Sequence, residues 1–296
     1  MRLVVFGGWG QLGSDLFSVA ARRHDLVRPT HAEVDVTDAR AVARAVRDAR
    51  PDAVIDAAAF HQTQRCEEEP ERAFAVNATG ALHVARAARA AGARCVFVST
   101  DYVFDGENPH GYAEDDPMGP INVYGATKVA GELLARIGCR DSLVVRGSGM
   151  FGHAGSSGKG GNFVEKMLAS ASAGHPLTVV EDQVFAPTST HDLAERLVAL
   201  LEVGAPAGNY HLVNEGTCSW YSFAAKVLEL AGIEASITPR STGDQEVRRP
   251  RWSVLRDTKT VKLGLPPARP WEEALRWYLD TRPARQAASA CGEHRH

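Results

Sequence analysis

A glycine-rich turn directly after an apolar strand is the feature that most constrains how this sequence can fold. Arg2–Phe6 reads as a buried strand, residues 11–22 have helical periodicity, and Gly7, Gly10 and Gly13 lie where the two elements meet. A helix N-terminus supplies free N–H groups and a favourable dipole, so a glycine turn in this context is suited to binding phosphate. A tight turn without a ligand is the other interpretation, and the flanking strand and helix favour nucleotide binding.

The first half of the chain continues to alternate strands with helices. Further strands are predicted at 25–28, 53–57, 95–99 and 143–146, and helices at 38–47, 70–91 and 124–137, with Thr37 or Asp38 capping the helix at 38–47. This alternation is typical of βαβ units, and near-continuous apolar strands fit a sheet covered on both faces. The sequence therefore predicts an α/β fold with a doubly wound parallel sheet.

The pattern loosens after about residue 147. Strands are predicted at 177–180, 210–213 and 235–238, and helices at 162–173, 190–202, 220–231 and 270–279. We interpret this half as a smaller C-terminal lobe, interleaved with the last sheet elements. The expected division is a nucleotide-binding domain at 1–147, a substrate-binding lobe at 148–281 and a disordered tail at 282–296.

Composition and charge narrow the class of protein. The 296 residues are 44% hydrophobic and 23% charged, with a net charge of −3 and no block of like charge, which argues against nucleic-acid or anionic-membrane partners. No signal peptide or membrane span is expected. Five dispersed cysteines without a Cys-x-x-Cys pair predict reduced thiols and a cytoplasmic location, and Cys95, inside an apolar run, is predicted to be plain core.

Tyr124 and Lys128 are the candidate chemical pair. Four residues apart on a predicted helix, they share one face, and a nearby ammonium stabilises a phenolate and lowers the phenol's pKa. Such pairs also occur by chance on surface helices. Thr100 ends the fourth predicted strand, and ligands bind beyond the carboxyl ends of strands in such sheets. Thr100 is thus expected to hydrogen-bond a substrate oxygen, or else to satisfy the strand end.

Several residues are candidates for binding a dinucleotide. Asp35 either contacts the adenine end or caps the next helix, and the small residues 57–59 would let backbone lie along a cofactor. Arg28 and His31 lie at the end of the second predicted strand, where an acid would favour NAD and a cation favours NADP. We therefore expect NADPH, with NADH as the alternative.

Longer strings resemble the dTDP-4-dehydrorhamnose reductase family, which comprises extended short-chain dehydrogenase/reductases with a Rossmann-like fold. The most specific are Ser-Thr-Asp-Tyr-Val-Phe-Asp-Gly at 99–106 and Asn-Val-Tyr-Gly-Ala-Thr-Lys-Val-Ala-Gly-Glu at 122–132. Others are at 158–163, 182–188, 210–213 and 249–255. The resemblance extends to about residue 280.

The resemblance implies NAD(P)H-dependent reduction of the C4 ketone of a nucleotide-linked 4-keto-6-deoxyhexose, most simply dTDP-4-dehydrorhamnose to dTDP-L-rhamnose. Tyr124 would protonate the ketone oxygen, Lys128 would bind the nicotinamide ribose and lower the Tyr124 pKa, and Thr100 and Asp101 would contact the sugar. Arg249 would bind the nucleotide phosphates, with a surface salt bridge as an equal alternative. The expected cofactor-binding residues are Gly7, Gly10, Gln11, Leu12, Asp35, Val36, Ala58, Ala59, Phe60 and Lys128.

The sequence also departs from the family. Gly149 stands where the family commonly has a Trp that packs by the sugar, so this apolar wall is missing and the precise hexose and its orientation are left open. His61 lies in an unusual segment and either faces the substrate or is a surface or core histidine. Mg²⁺ at a dimer contact is known in some relatives, and Glu272 and Glu273 are a faint echo of its ligands; we assign no metal and leave a homodimer open. The alternatives are another nucleotide-linked keto-sugar reductase, or a regulatory protein like the methionine adenosyltransferase β subunit.

Overall fold

The structure is a computed structural model and describes residues 1–154, 161–243 and 247–282. The predicted tail from residue 283 onward, and residues 158–160 of the 158–163 string, lie outside the described residues. The strands are β1 (Arg2–Phe6), β2 (Asp25–Val27), β3 (Ala53–Asp56), β4 (Arg94–Thr100), β5 (Ser142–Gly147), β6 (Met150–Phe151), β7 (Leu177–Val180), β8 (Val184–Phe185), β9 (Thr188–Ser189), β10 (Gly208–His211), β11 (Cys218–Ser219), β12 (Ile237–Arg240) and β13 (Trp252–Ser253).

The helices alternate with these strands. They are α1 (Gln11–Ala20), α2 (Ala39–Ala49), α3 (Thr63–Glu68), α4 (Pro70–Phe74), α5 (Ala81–Ala90), α6 (Val123–Gly138), α7 (Phe163–Ser172), α8 (Thr190–Glu202), α9 (Trp220–Ala231) and α10 (Trp271–Thr281). In the described part of the chain, no helix is both long and apolar enough to cross a membrane.

Six strands form one parallel sheet in the order β10-β5-β4-β3-β1-β2. This confirms the predicted doubly wound sheet. The strand order reverses at β1, because β2 lies on one side of it and β3 on the other. Such a reversal opens a crevice at the carboxyl ends of the strands, where ligands of this architecture bind.

Both faces of the sheet are covered, which explains the continuous apolar strands. Leu3 and Val5 point into a core shared with α1 and α8, whereas Val4 and Phe6 point into a second core shared with α2 and α5. All four side chains are essentially inaccessible to solvent. A strand that buries alternate residues on opposite faces needs apolar side chains at every position.

The second half of the chain is interleaved with this sheet. β10 forms its edge and α8 packs on α1, while short strands pair as β11-β8-β13, β12-β7 and β6-β9. A separate aromatic core lies there, with Phe151, Phe185, Phe223, Trp271 and Tyr278 among its members. The bounds of the two domains stay a prediction.

Some predicted elements were wrong in detail. The single helix expected at 70–91 is divided by a π-helical turn, Ala75–Gly80, and the unpredicted helix α3 precedes it. β10 begins two residues before its predicted start and β12 two residues after. Five strands of two residues each were not predicted, because two residues show no periodicity.

Candidate active site

The glycine turn brings the chain close to the end of β3. Gly7 has φ of +73°, and a Cβ there would lie 2.6 Å from the carbonyl carbon of Ala57. A Cβ on Gly13 would overlap the Cα of Gly8. Glycine at these positions lets the turn fold tightly under the start of α1, so the predicted turn has a steric cause.

The start of α1 is suited to an anion. Gly10 is its extended N-cap residue, and within the described residues no side chain caps the helix. The side-chain oxygen of Gln11 is buried and has no hydrogen-bond partner in the part of the chain that the structure describes. Free helix N–H groups suit the pyrophosphate of a dinucleotide, and the Gln11 oxygen would accept from a donor of the same ligand, such as a ribose hydroxyl. The residues therefore fit the cofactor that the sequence implies.

Arg28, one residue past β2, is held between two aromatic rings. Its guanidinium carbon lies 3.8 Å from the Trp9 ring centroid and 3.7 Å from that of Phe17. Trp9 also donates from Nε1 to the Arg28 carbonyl at 3.1 Å. This stacking fixes a cation at the predicted ribose position.

Asp35 has a local role in the structure. Its carboxylate accepts hydrogen bonds from the Thr37 amide at 2.9 Å and the Thr37 hydroxyl at 2.8 Å. The amide hydrogen bond is the main reason why the pKa of Asp35 is lowered. The cap of α2 is Asp38, which accepts from Arg40 and Ala41. Capping of α2 by Asp35 was therefore wrong, and its contact with the adenine end stays a prediction. The buried Val36 is predicted to line the cofactor, which also stays a prediction.

The segment after β3 is anchored by Asn77, a residue that sequence reasoning missed. Asn77 is fully buried in the π-helical turn and exchanges hydrogen bonds with the backbone of Phe60, at 2.8 and 2.9 Å. It also donates to the Thr127 hydroxyl, which in turn donates to the Tyr124 carbonyl. Asn77 thus joins the predicted cofactor-lining segment to α6. A π-helical turn has no recognisable sequence pattern. The polar asparagine inside a predicted helix was the only signal in the sequence that this segment could have a special role.

Helix α6 presents Tyr124 and Lys128. It begins after Asn122, whose side chain caps the Gly125 amide at 2.8 Å and donates to the Arg248 carbonyl at 2.9 Å. A Cβ on Gly125 would overlap the carbonyl oxygen of Tyr102. This close approach sets α6 against the turn that follows β4 and places Tyr124 beside the strand end.

The prediction that Lys128 lowers the pKa of Tyr124 is wrong in this structure. Tyr124 is half-buried, with its ring edge-on to Tyr102 at 5.8 Å. Burial raises the pKa of Tyr124, and a hydrogen bond with Thr100 acts in the opposite direction without cancelling it. The phenol is thus fully protonated at neutral pH, which suits a proton donor rather than a base.

Lys128 is buried and faces the sheet. Its Nζ donates to the Val98 carbonyl at 2.7 Å and lies 4.0 Å from the centroid of the Phe97 ring. Burial lowers the pKa of Lys128 to about 8, although the carboxylates of Asp56 and Glu132 act to raise it. Burial also raises the pKa of Asp56, at the end of β3, to about 6. The two groups thus form a buried, partly compensated charge pair.

Asp101 joins the end of β4 to the second half of the chain. Thr100 donates to one of its carboxylate oxygens at 2.8 Å, Ser148 donates to the other at 2.7 Å, and Ser253 also hydrogen-bonds to it. Burial raises the pKa of this carboxyl group. Both oxygens are used within the protein, so in this structure Asp101 orients Thr100. Its predicted contact with the sugar stays a prediction.

Behind Lys128 lies a fully buried ion pair. Arg146 makes two hydrogen bonds to Glu132, of 2.8 and 2.7 Å, and Ser99 donates to the same carboxylate at 2.6 Å. Arg146 also contacts His211, whose pKa burial lowers to about 3. This network joins α6 to β4, β5 and β10, and sequence reasoning missed it because its members are far apart in the chain.

Arg249 is exposed near the site. Its charge acts to lower the pKa of Tyr102, which burial nonetheless raises to about 12. Arg249 forms no ion pair with any carboxylate in residues 1–154, 161–243 or 247–282, so the predicted surface salt bridge is absent there.

His61 is half-buried, with Nδ1 3.5 Å from the Ala59 carbonyl.

Gly149 leaves no room for a side chain in its present backbone conformation. Gly149 has φ of +46°, and a Cβ there would overlap two carbons of the Phe185 ring, with a third at 3.4 Å. Phe185 itself stacks on Trp220 at 4.0 Å between centroids. A side chain at position 149 would therefore collide with the buried ring of Phe185.

No metal site is formed by the described residues, where no three acidic, histidine or cysteine side chains are grouped to hold an ion. Glu272 and Glu273 are exposed in the first turn of α10. Cys95 is buried in the core shared with α2 and α5, which confirms the prediction that it is core, and Cys66, Cys139 and Cys218 are buried as well.

The fold and site define a class of protein: a short-chain dehydrogenase/reductase, with a glycine turn at the start of α1 and a Tyr–Lys pair on α6 beside the end of β4. Comparison with known proteins narrows the class. The model of the RmlD substrate binding domain family matches residues 1–283, and the chain belongs to this family.

Similar proteins include both curated sequences and solved structures. The spore coat polysaccharide biosynthesis protein SpsK of Bacillus subtilis is 38% identical over 98% of this chain and 99% of its own length. A dTDP-4-dehydrorhamnose reductase of Streptomyces griseus is 39% identical over 93% and 91%. The crystal structure of dTDP-4-dehydrorhamnose reductase from Bacillus anthracis in complex with NADP superposes with a TM-score of 0.89 at 33% identity, covering 94% of this chain and 98% of that one.

Proposed function

We propose that the protein reduces the C4 ketone of a nucleotide-linked 4-keto-6-deoxyhexose, dTDP-4-dehydrorhamnose, to give dTDP-L-rhamnose. The observation that carries the proposal is the grouping of Thr100, Tyr124 and Lys128 on β4 and α6, at the edge of the sheet that also holds the glycine turn. The similarity to reductases of Streptomyces griseus and Bacillus anthracis supports the choice of substrate.

The side chains would divide the chemistry as follows. A bound nicotinamide cofactor supplies the hydride. Tyr124 gives its proton to the ketone oxygen, since a protonated phenol is a far stronger acid than the alcohol that forms. Thr100, whose hydroxyl donates to Asp101 in this structure, would turn its one proton to that oxygen when the substrate binds and so fix its position. Lys128 contributes a buried positive charge beside the developing alkoxide and holds the cofactor ribose.

We propose NADPH as the preferred cofactor. Arg28 supports this choice, because it offers a guanidinium fixed by Trp9 and Phe17 one residue past β2. A guanidinium there suits the extra phosphate of NADP. The related Bacillus anthracis structure contains NADP. Gly10, Gln11 and Leu12 would hold the pyrophosphate at the start of α1.

We propose that Arg249 binds the nucleotide phosphates of the substrate. Two observations support this role. The charge of the exposed Arg249 acts to lower the pKa of Tyr102, whose ring packs against Tyr124, and Arg249 forms no ion pair within the described residues.

A second candidate substrate is a different nucleotide-linked keto sugar. Gly149 favours this candidate, since the side chain that the family resemblance places beside the sugar is absent.

The direct test is NADPH oxidation with dTDP-4-dehydrorhamnose, followed by the configuration of the product at C4. Replacing Tyr124 with Phe should lower kcat by about 10²- to 10⁴-fold, the usual contribution of a positioned general acid. NADPH binding, followed by cofactor fluorescence, should be nearly unchanged.

The matched control is Tyr102→Phe, which removes the hydroxyl of the ring packed against Tyr124. Its effect on kcat should be much smaller. Near-normal turnover of Tyr124→Phe would refute the mechanism. A wild-type protein that turns over no keto sugar, yet captures a methionine adenosyltransferase, would favour the regulatory alternative.

A further inference from the structure

We propose that the protein has a second binding site, for a phosphate dianion, at the edge of the sheet opposite the predicted chemistry. The phosphate is either free or the phosphate group of a small sugar phosphate. The site is a cavity of about 480 Å³ at the starts of β5 and β10, which we call the amino-edge cavity. Its polar and charged lining residues are Asp115, Arg136, Arg140, Ser142, Asn209 and Lys259.

The amino-edge cavity is separate from the candidate active site. Ser142 begins β5 and Gly208 begins β10, whereas Thr100 ends β4, and these strands are parallel. Arg136 lies eight residues after Lys128 on α6, which is about 12 Å along the helix axis. A ligand in the cavity therefore occupies a different place from the cofactor and the keto sugar, and the site is independent of the proposed reduction.

Positive charge predominates in the cavity. Arg136, Arg140 and Lys259 line it, together with one carboxylate, Asp115. Lys259 pairs with Asp115 at 2.8 Å, but the Asp115 side chain is 76% exposed, so solvent screens its charge. Arg140 is exposed and forms no ion pair in residues 1–154, 161–243 or 247–282. Three cations thus face one acid, and one of the cations is uncompensated.

Arg136 shares its carboxylate with another guanidinium. Its Nη2 lies 3.6 Å from Glu132, which Arg146 already binds at 2.8 and 2.7 Å. The same nitrogen of Arg136 donates to the side chain of Asn209. One buried carboxylate therefore serves two guanidiniums, and an anion in the cavity would neutralise the second one.

Two buried polar groups of the lining residues lack partners. Nε of Arg136 and the hydroxyl of Ser142 are covered from solvent and form no hydrogen bond within the part of the chain that the structure describes. Ser142 as a whole is 2% exposed. Buried polar groups are nearly always hydrogen-bonded, so a partner is expected here. A phosphate oxygen would reach these groups when the Arg136 side chain, which is 37% exposed, turns outward.

The lining favours a phosphate joined to a small polar body. Guanidinium groups bind phosphate oxygens through paired N–H donors. The cavity is larger than a phosphate needs and lies within the range of small-molecule sites, about 300–1,000 Å³. The described residues that line it include no aromatic ring on which a base could stack, since its other walls are Ala207 and Gly208. We therefore expect a sugar phosphate to bind more tightly than inorganic phosphate.

The test is isothermal titration calorimetry of the whole chain at constant ionic strength, with inorganic phosphate, glucose 6-phosphate and glucose as separate titrants. We expect glucose 6-phosphate to bind saturably and with a lower Kd than phosphate, and glucose not to bind. Arg140→Ala should raise the Kd about tenfold or more, the equivalent of one charge-assisted hydrogen bond. The matched control is Arg44→Ala, on α2, which removes another exposed arginine without an ion pair in the described residues and should leave the Kd unchanged.

Ser142→Ala separates a binding role of the buried hydroxyl from a structural one. Without ligand its Tm should not fall, because the hydroxyl has no hydrogen bond to lose within the described residues. The Kd for glucose 6-phosphate should nevertheless rise. A lower Tm with an unchanged Kd would show that the hydroxyl is structural and would overturn its part in the site.

The remaining outcomes are decisive as well. No saturable binding of either phosphate titrant, or an equal Kd in wild type and Arg140→Ala, would overturn the site. Equal Kd values for phosphate and glucose 6-phosphate would support the site and overturn the preference for a sugar phosphate. Phosphate could also bind beside the glycine turn, so Arg28→Ala is titrated in parallel; a loss of binding in that variant instead of Arg140→Ala would place the anion in the cofactor site and overturn the proposal.

Discussion

Glu132→Gln should strongly destabilise this protein, because it breaks the buried ion pair behind Lys128. Glu132 and Arg146 are 0% and 1% exposed, and the guanidinium binds the carboxylate through two nitrogens. Glutamine keeps an acceptor for Ser99 but removes the charge that neutralises Arg146. Removing one partner of such a pair costs about 3–5 kcal/mol of unfolding free energy, since the other charge stays buried.

The assay is differential scanning calorimetry. Unfolding entropy scales with length, at roughly 0.6 kcal/mol/K for a chain of this size, so Tm should fall by about 5–8 °C. The matched control is Glu229→Gln, in the surface pair with Lys226, where Glu229 is 61% exposed. Exposed pairs contribute about 0–1 kcal/mol, so that Tm should hardly change.

A double variant tests whether the lost stability comes from the unpaired charge of Arg146. Removing both charges, with Glu132→Gln and Arg146→Met together, should recover part of the lost stability, because no unpaired buried charge is left. A fall in Tm for Glu132→Gln no larger than for Glu229→Gln would refute the argument.

Three further predictions concern cofactor choice, orientation and pH. Arg28→Ala should raise KM for NADPH about ten- to a hundredfold, the equivalent of one lost charge-assisted hydrogen bond, with little change for NADH; equal effects on both cofactors would contradict the phosphate role. Asp101→Asn should lower kcat about ten- to a hundredfold with a smaller effect on KM, because the Thr100 hydroxyl loses its charged acceptor, and an unchanged kcat would contradict this. Activity should fall above pH about 8 as Lys128 loses its proton. Because the Asp56 carboxylate acts to raise the pKa of Lys128, Asp56→Asn should move that fall in activity to lower pH. A shift to higher pH would contradict the assignment of the fall to Lys128.

These variants have simple controls. Arg22→Ala removes an exposed arginine that follows α1 and should leave KM for both cofactors unchanged. Ser148→Ala removes one of the other hydroxyls bound to Asp101 and should lower kcat less than Asp101→Asn. The pH profiles are compared with the ionic strength held constant, since screening also changes charge interactions.

Much of the site could be predicted from the sequence because it is built from local patterns. The glycine turn, the Tyr124–Lys128 spacing and Thr100 at a strand end each depend on a few adjacent residues and on the regular periods of helices and strands. The parallel sheet follows from the alternation of these elements. Its switch point then brings separate strand ends to one edge without further information.

The residues that prediction missed or misjudged depend on contacts between distant segments. Asn77 acts from a π-helical turn, and Glu132 meets Arg146 across two elements. The pKa of Tyr124 was misjudged for the same reason: spacing suggested that Lys128 would lower it, whereas burial against neighbouring elements raises it. Burial is a property of the packed chain, and no local pattern reports it.

The sequence by itself determined the doubly wound sheet, the glycine turn and the positions of Thr100, Tyr124 and Lys128, because short-range periodicity and backbone sterics set them. Only the tertiary structure decided three other features. Burial raises the pKa of Tyr124, the Asp101 carboxylate is hydrogen-bonded within the protein, and the ring of Phe185 packs against Gly149. These depend on which side chains from distant segments share a buried volume, and that is settled only when the chain packs.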